Sequence, residues 1–217
     1  MTRPQQFTHD DYEVTARELR YQGFYRMESL RVQHAAYRGG QVEITRELMA
    51  RPDAVVVLLF DPQRDEVVLV EQYRVGALSA PTPWLIECVA GLIEPGETTE
   101  AVARRECEEE AGLSPGRLHF ICEYYPSPGG SNEKITLYAG EVDASTAGGV
   151  HGLDEEGEDI LVRRVPVQEA LDWLKEGHIN NAASIISLQW LALNHEELRR
   201  RWAEPRSPDT ERSVDGA

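Results

Sequence analysis

A chain of 217 residues, 41% hydrophobic and 28% charged, is sized for one globular unit with at most a small annex. Its formal net charge of −16 excludes broad nucleic-acid binding, which needs a basic face to displace counterions from phosphates. Cys88, Cys107 and Cys122 lack CxxC or Cys/His spacing, so neither a disulfide framework nor a zinc site is predicted. The opening Met-Thr-Arg-Pro-Gln-Gln has no apolar run to act as a signal peptide, and no stretch approaches the roughly 18 apolar residues that span a membrane. The expected setting is the cytoplasm.

From the N-terminus, short mixed runs with period-2 alternation at 12–14 and 25–32 predict strands, and 38–41, Arg-Gly-Gly-Gln, reads as a hairpin turn. The apolar run 54–60 predicts a buried strand, with 61–65 as a turn and 66–73 as its hairpin partner. Residues 84–90 supply a further apolar strand, closed by Gly91. The first helical pattern covers 98–111. Thr98 or Thr99 caps its free amides, Ala101, Val102, Cys107 and Ala111 form an apolar stripe, and Gly112 suits a left-handed stop. Strands recur at 119–125, 134–142 and 160–165, then helices at 167–177 and about 182–203, and the polar tail after Pro205 is expected to be disordered. The alternation of strand and helix predicts an α/β sandwich, a mixed sheet with flanking helices.

On the helix at 98–111, Glu106, Glu109 and Glu110 fall at i, i+3 and i+4, so their carboxylates share one narrow face, and Glu97 lies in the preceding turn. Like charges at this spacing destabilise an isolated helix by about 0.2–0.5 kcal/mol per pair. Two readings stand: a solvated acidic face eased by Arg104 and Arg105, or carboxylates gathered to hold a cation.

The framing favours the second. Gly91, five residues, Glu97, seven residues, then Arg105-Glu106-Cys107-Glu108-Glu109-Glu110-Ala111-Gly112-Leu113 resembles the signature of the Nudix hydrolases at every defined position. Cys107 and Leu113 stand where that pattern wants apolar residues. Seven fixed letters at ordinary frequencies coincide by chance on the order of once in 10⁸ starting points, so a merely solvated face is the poorer account. The resemblance implies a Nudix-type α/β/α sandwich with a mixed sheet, α+β in class. It also implies hydrolysis of a nucleoside diphosphate-linked small molecule with two or three Mg²⁺ ions, for which Mn²⁺ can substitute. Hard Mg²⁺ prefers carboxylate oxygens, and ions bridging a pyrophosphate neutralise the charge that keeps a nucleophile away. By resemblance, Glu106, Glu110 and the main-chain carbonyl of Ala90 are metal ligands, Glu109 supports or shares ions, and Arg105 holds Glu97 and its neighbours.

The flanks narrow the substrate. Pro128, fifteen residues after Leu113 and within Pro126-Ser127-Pro128-Gly129-Gly130, looks like the mark of the ADP-ribose pyrophosphatase branch of the family. The likeness to bacterial members of that branch runs from about Tyr21 to Trp202. It includes Tyr21-Gln22-Gly23-Phe24-Tyr25, Glu71-Gln72-Tyr73-Arg74, Pro83-Trp84-Leu85-Ile86-Glu87 and Asn181-Ala182-Ala183-Ser184. It implies Phe24 and Tyr25 against the adenine, Arg46, Arg51 and Arg74 on phosphates or ribose with Glu47 beside them, and Leu92 near the pyrophosphate. Ser127, Pro128, Gly129 and Glu133 would form a loop shared with a partner subunit. The arginines supply the local attraction that the net charge denies a polyphosphate.

The acidic loop 151–159 closes over the pyrophosphate in that branch. Glu156 aligns with the general base on the attacking water, with Glu155 one residue away, and Glu158 with a residue that reaches a metal. The resulting expectation is a Mg²⁺-dependent ADP-ribose pyrophosphatase acting on a small nucleoside diphosphate substrate, without nucleic acid or membrane, as a homodimer exchanging its N-terminal strands. Its parts are a small antiparallel β annex at 1–50 in the dimer interface, a catalytic domain at 51–203 and a tail at 204–217. Two alternatives are a Nudix pyrophosphatase for another nucleotide sugar or dinucleotide, and a Nudix-fold module that binds ADP-ribose without cutting it. The intact Arg105, Glu106, Glu109 and Glu110 speak against the second.

Overall fold

The computed structural model describes residues 5–153, 155 and 157–203. They divide into two compact units, one built from residues up to 53 with 124–134, the other from 54–123 with the remainder. In the first, β1 (Tyr12–Gln22), β2 (Arg26–Ala35) and β3 (Gln41–Ala50) form an antiparallel sheet in that order. The turn at 36–40 closes β2 onto β3 where the sequence predicts it. β3 and most of β1 lie beyond the short runs recognised by alternation, because mixed polar faces blur the period. Residues 124–134 join this unit through Met49, whose N–H donates to the Gly130 carbonyl at 2.8 Å.

The second unit holds an eight-stranded mixed sheet. Its main path runs β10 (Gly149–His151), β11 (Ile160–Pro166), β5 (Glu66–Tyr73), β4 (Ala54–Asp61), β9 (Ile135–Glu141) and β8 (Leu118–Tyr124). β4 pairs with β9 in parallel and with β5 antiparallel. Every residue of β4 is buried, as the uninterrupted apolar run predicts, because both faces are covered. Val55, Val57 and Leu59 join Val102, Ala103, Cys107 and Ala111 of helix α1 (Thr99–Ala111) in one core. From the alternate positions, Phe60 meets His195 and Trp202 of α3 (Ala182–Ala203), beside α2 (Val167–Glu176). These are the three layers expected. β10, only three residues long, is too short to leave a periodic signal.

The strand predicted at 84–90 divides at Cys88 into β6 (Trp84–Glu87) and β7 (Val89–Leu92). β5 contacts β4 only near the hairpin and then diverges; β6 pairs with β5 and β7 with β4. Cys88 belongs to neither ladder, so its buried N–H needs another acceptor. Ser184 Oγ, at the start of α3, supplies it at 2.9 Å. Asn181 Oδ1 accepts from the Ser184 N–H at 3.0 Å while its Nδ2 donates to the Ile86 carbonyl at 2.9 Å. One short polar segment thus caps α3 and fixes the strand break that precedes Ala90. No described helix is long and apolar enough to cross a membrane.

Replacing Ser184 by alanine leaves the Cys88 N–H without its acceptor and should cost about 1–3 kcal/mol. Urea unfolding should show a lower midpoint with an unchanged slope. An unchanged midpoint would mean that the hydroxyl is dispensable.

Candidate active site

Helix α1 begins where Thr98 Oγ1 accepts the Ala101 N–H at 3.2 Å. It ends at Gly112, whose left-handed φ of 64° lets the Gly112 and Leu113 amides return to the Glu108 and Cys107 carbonyls. With Val102, Ala103, Cys107 and Ala111 committed to the core, the helix has a fixed rotation, and Glu110 is carried inward until it is only 3% exposed.

Glu110 Oε2 accepts the Ala90 N–H at 2.9 Å, tying the helix to β7. Glu106 lies against the same strand: a methyl group on Gly91 would stand 1.8 Å from Glu106 Oε1, so only glycine leaves room for this carboxylate. Arg105 gathers the others. Its Nη1 donates to Glu106 Oε1 at 2.7 Å and to Glu109 Oε2 at 3.1 Å, and its Nε and Nη2 each reach Glu97 at 3.3 Å. A longer contact runs from Nη2 to the Leu92 carbonyl at 3.5 Å. Arg104 turns away to the Pro115 and Gly116 carbonyls, so Arg105 alone of the two eases the acidic face.

The acidic loop starts from the end of this helix. Gly152 N–H donates to the Glu109 carbonyl at 3.3 Å, and Leu153 and Glu158 close the loop base with two reciprocal bonds at 3.1 and 3.2 Å. Glu158 is near enough to discourage ionisation of both Glu106 and Glu110. Glu155 is exposed, and Glu156 lies outside the described residues.

The electrostatics follow from the geometry. Burial, aided by the Glu109 charge and opposed by Arg105, pushes Glu106 up to about 7. Burial also pushes Glu110 up to about 8, against the Ala90 N–H and with the help of Glu106. For Arg105, burial disfavours the charge, but Glu106, Glu97 and Glu109 prevail and raise its pKa. Among the described residues no three His, Cys, Asp or Glu side chains stand in a ready metal cluster. The donor set nevertheless suits a hard cation. Its members are carboxylate oxygens and a nearby carbonyl strand, and Glu110 makes no ion pair among the described residues. A cation would relieve both the burial penalty and the mutual repulsion.

Arg74 stands at the end of β5 in this unit, its Nε donating to Glu87 Oε2 at 2.6 Å. Sequence reasoning passed over Glu87, because thirteen residues separate it from Arg74 and only the β5–β6 register joins them. The other anticipated residues belong to the first unit. There Phe24 and Tyr25 make an edge-to-face pair at 4.8 Å, with Phe24 82% exposed. The Arg51 guanidinium lies 4.9 Å from the Tyr25 ring centre and 3.0 Å from Glu133 Oε1. Burial raises the Glu133 pKa against the pull of Arg51. Asn132 holds the Arg51 backbone through two bonds, at 2.9 and 3.0 Å. Arg46 and Glu47 are exposed on β3, and the Arg46 side chain donates to the Thr45 carbonyl at 2.8 Å. Ser127, Pro128 and Gly129 form an exposed turn, closed by Gly130 and Ser131 amides on the Ser127 carbonyl.

An acidic helix bound through arginine and glycine to a strand, with an acidic loop rooted at its end, defines a class. Residues 50–189 match the NUDIX domain, and the chain belongs to that family. Among its relatives, the ADP-ribose pyrophosphatase of Escherichia coli strain K12 is 48% identical over 202 residues, covering 92% of this chain and 97% of that protein. The ADP-ribose pyrophosphatase of Haemophilus influenzae is 43% identical over 207 residues, 93% of this chain and 95% of that protein. A crystal structure of an ADP compounds hydrolase shares the fold, with a TM-score of 0.67 at 21% identity over 87% of this chain and 97% of that one.

The raised carboxylates set the pH dependence of the metal-free protein. Glu106 and Glu110 hold protons more tightly folded than at their ordinary value of 4.5, so the folded state binds more protons between the two values. Their contribution is fully present below pH 4.5 and is lost as pH rises through about 7 and 8. In EDTA, thermal stability should therefore fall from pH 6 to 8.5, and Glu110→Gln should flatten the decline. A stability that rises across this range in EDTA would contradict the assignment.

Proposed function

We propose that this chain hydrolyses the pyrophosphate bond of ADP-ribose to AMP and ribose 5-phosphate, with Mg²⁺ as its metal. The observation that carries the reading is the 48% identity to an ADP-ribose pyrophosphatase across 92% of the chain, with the α1 carboxylates gathered at one place. In the reaction a water oxygen attacks one phosphorus, the bridging P–O bond breaks, and the water proton passes to a carboxylate. Glu106, Glu110, Glu158 and the Ala90 carbonyl would hold two or three Mg²⁺ ions, or Mn²⁺ in their place, which when bound would supply charge neutralisation and polarisation of the pyrophosphate oxygens.

The remaining work falls to the chain itself. Arg105 holds Glu97, Glu106 and Glu109 against their mutual repulsion. The Glu109 carbonyl anchors Gly152, fixing where the acidic loop begins. Glu156 accepts the proton, by its alignment with the family's base, with Glu155 as the neighbouring carboxylate. Arg74, Arg46 and Arg51 provide local positive charge on a molecule of net charge −16. Phe24 and Tyr25 offer an aromatic face to the adenine, Glu47 a polar contact beside it, and Leu92 its backbone near the pyrophosphate. The loop of Ser127, Pro128, Gly129 and Glu133 is shared with a second copy. A homodimer also accounts for Tyr12, Val14, Leu19 and Tyr21 of β1, whose side chains are 41–63% exposed. The proposed setting is the cytoplasm.

Turnover of ADP-ribose, GDP-mannose, NADH and diadenosine polyphosphates, measured side by side with Mg²⁺, tests the reading. ADP-ribose should be preferred, with AMP and ribose 5-phosphate as products. A preference of about tenfold or more, equivalent to roughly 1.4 kcal/mol, for any of the others overturns it. Tight binding of ADP-ribose with no AMP released would make the chain a sensor.

A further inference from the structure

The bond between Arg74 and Glu87 has a geometry unlike that of a pair serving only to fasten the fold. Arg74 directly follows β5, and Glu87 is the last residue of β6. In the sheet register Tyr73 stands opposite Trp84 and Val70 opposite Glu87, and the Arg74 N–H donates to the Pro83 carbonyl at 2.8 Å, so the Arg74 side chain runs back along the β5–β6 ladder to reach Glu87. Glu87 is largely buried, 13% exposed, whereas the Arg74 side chain is 42% exposed. A fixed carboxylate therefore grips the inner edge of a guanidinium whose tip reaches solvent.

Only Nε is engaged. Among the described residues, neither Nη group of Arg74 makes a hydrogen bond. Arg117 behaves otherwise: Nε and Nη2 go to the two oxygens of Glu141, and Nη1 and Nη2 also donate to the Arg201 and Trp202 carbonyls, so its whole fork is engaged. Held through Nε alone, Arg74 keeps a planar pair of donors oriented for a second oxyanion. Released from Glu87, the guanidinium would be free to turn, and the orientation of the fork would be lost to substrate.

We infer that Glu87 is a positioning residue for pyrophosphate binding: it fixes the Arg74 fork for a phosphate oxygen of the substrate. This rests on the ADP-ribose hydrolysis proposed above. Ordering the arginine before substrate arrives removes an entropic cost from binding, so the effect falls on KM.

Steady-state hydrolysis of ADP-ribose by the full chain, in a cycle of Glu87→Ala and Arg74→Ala, provides the test. Glu87→Ala should raise KM about tenfold and change kcat less than about twofold, as loss of a charge-assisted contact to substrate predicts. Glu87→Gln, whose amide oxygen still accepts from Nε, should recover most of the loss. In the Arg74→Ala background, Glu87→Ala should add less than about twofold, because its target is gone. A purely structural role would lower kcat through the active fraction and leave KM alone. Should Glu87→Ala fail to fold, Glu87→Gln carries the same cycle, with KM raised about threefold alone and unchanged beside Arg74→Ala. An equal factor in both backgrounds, or an unaltered KM, overturns the role of Glu87. Wild-type protein that releases no AMP from ADP-ribose overturns the functional reading first, and this inference with it.

Discussion

Crowding of like charge on α1, resolved through Arg105, is the constraint around which the larger unit is arranged. The apolar stripe sets the rotation of the helix, and that rotation carries Glu106 and Glu110 out of water. Once there, each carboxylate is disfavoured by burial and by its neighbours. Arg105 offsets part of the repulsion at Glu97, Glu106 and Glu109, while Glu110 has the Ala90 amide and a distant share of Arg74. What is left over is an affinity for a cation. The remaining details of the site keep this corner in register: Gly91 makes room for Glu106, the Ser184 hydroxyl fixes the strand break before Ala90, and Gly112 lets the helix stop where the acidic loop can attach.

The two kinds of charge have separate tasks. Carboxylates on α1, with Glu158 near enough to disfavour ionisation of Glu106 and Glu110, concentrate negative charge in the larger unit. Two arginines outside α1 are each restrained by an acid of their own. Arg51 has Glu133, and Arg74 has Glu87. Pairing of this sort limits the freedom of a long side chain without neutralising every donor.

Much of this was legible in the sequence, for physical reasons that differ from element to element. β4 announced itself because burial on both faces demands an unbroken apolar run, and α1 because its caps, stripe and stop coincide. The Glu106, Glu109 and Glu110 cluster followed from helical geometry, since i, i+3 and i+4 share a face whatever the tertiary structure. The split of β6 from β7 was hidden, because the divergence of β5 from β4 is a property of the sheet and leaves no mark on residues 84–92. Glu87 went unnoticed for the same reason: its partner is set by register. The bond from Gly152 to the Glu109 carbonyl involves only backbone, to which side-chain chemistry gives no clue. The tail after Pro205, for which disorder is expected from the sequence, and the placement of Glu156 fall outside the described residues.

A cation bound at Glu106 and Glu110 would relieve their burial penalty and mutual repulsion. Calorimetry of Mg²⁺ binding at pH 7, repeated in buffers of different ionisation enthalpy, reads it directly. With Glu106 pushed up to about 7 and Glu110 to about 8, metal binding should expel roughly one to one and a half protons at pH 7. The release should shrink toward zero by about pH 9 and fall by more than half in Glu110→Gln. Mg²⁺ binding at pH 7 with no proton released, or with release unaltered in Glu110→Gln, would contradict the account.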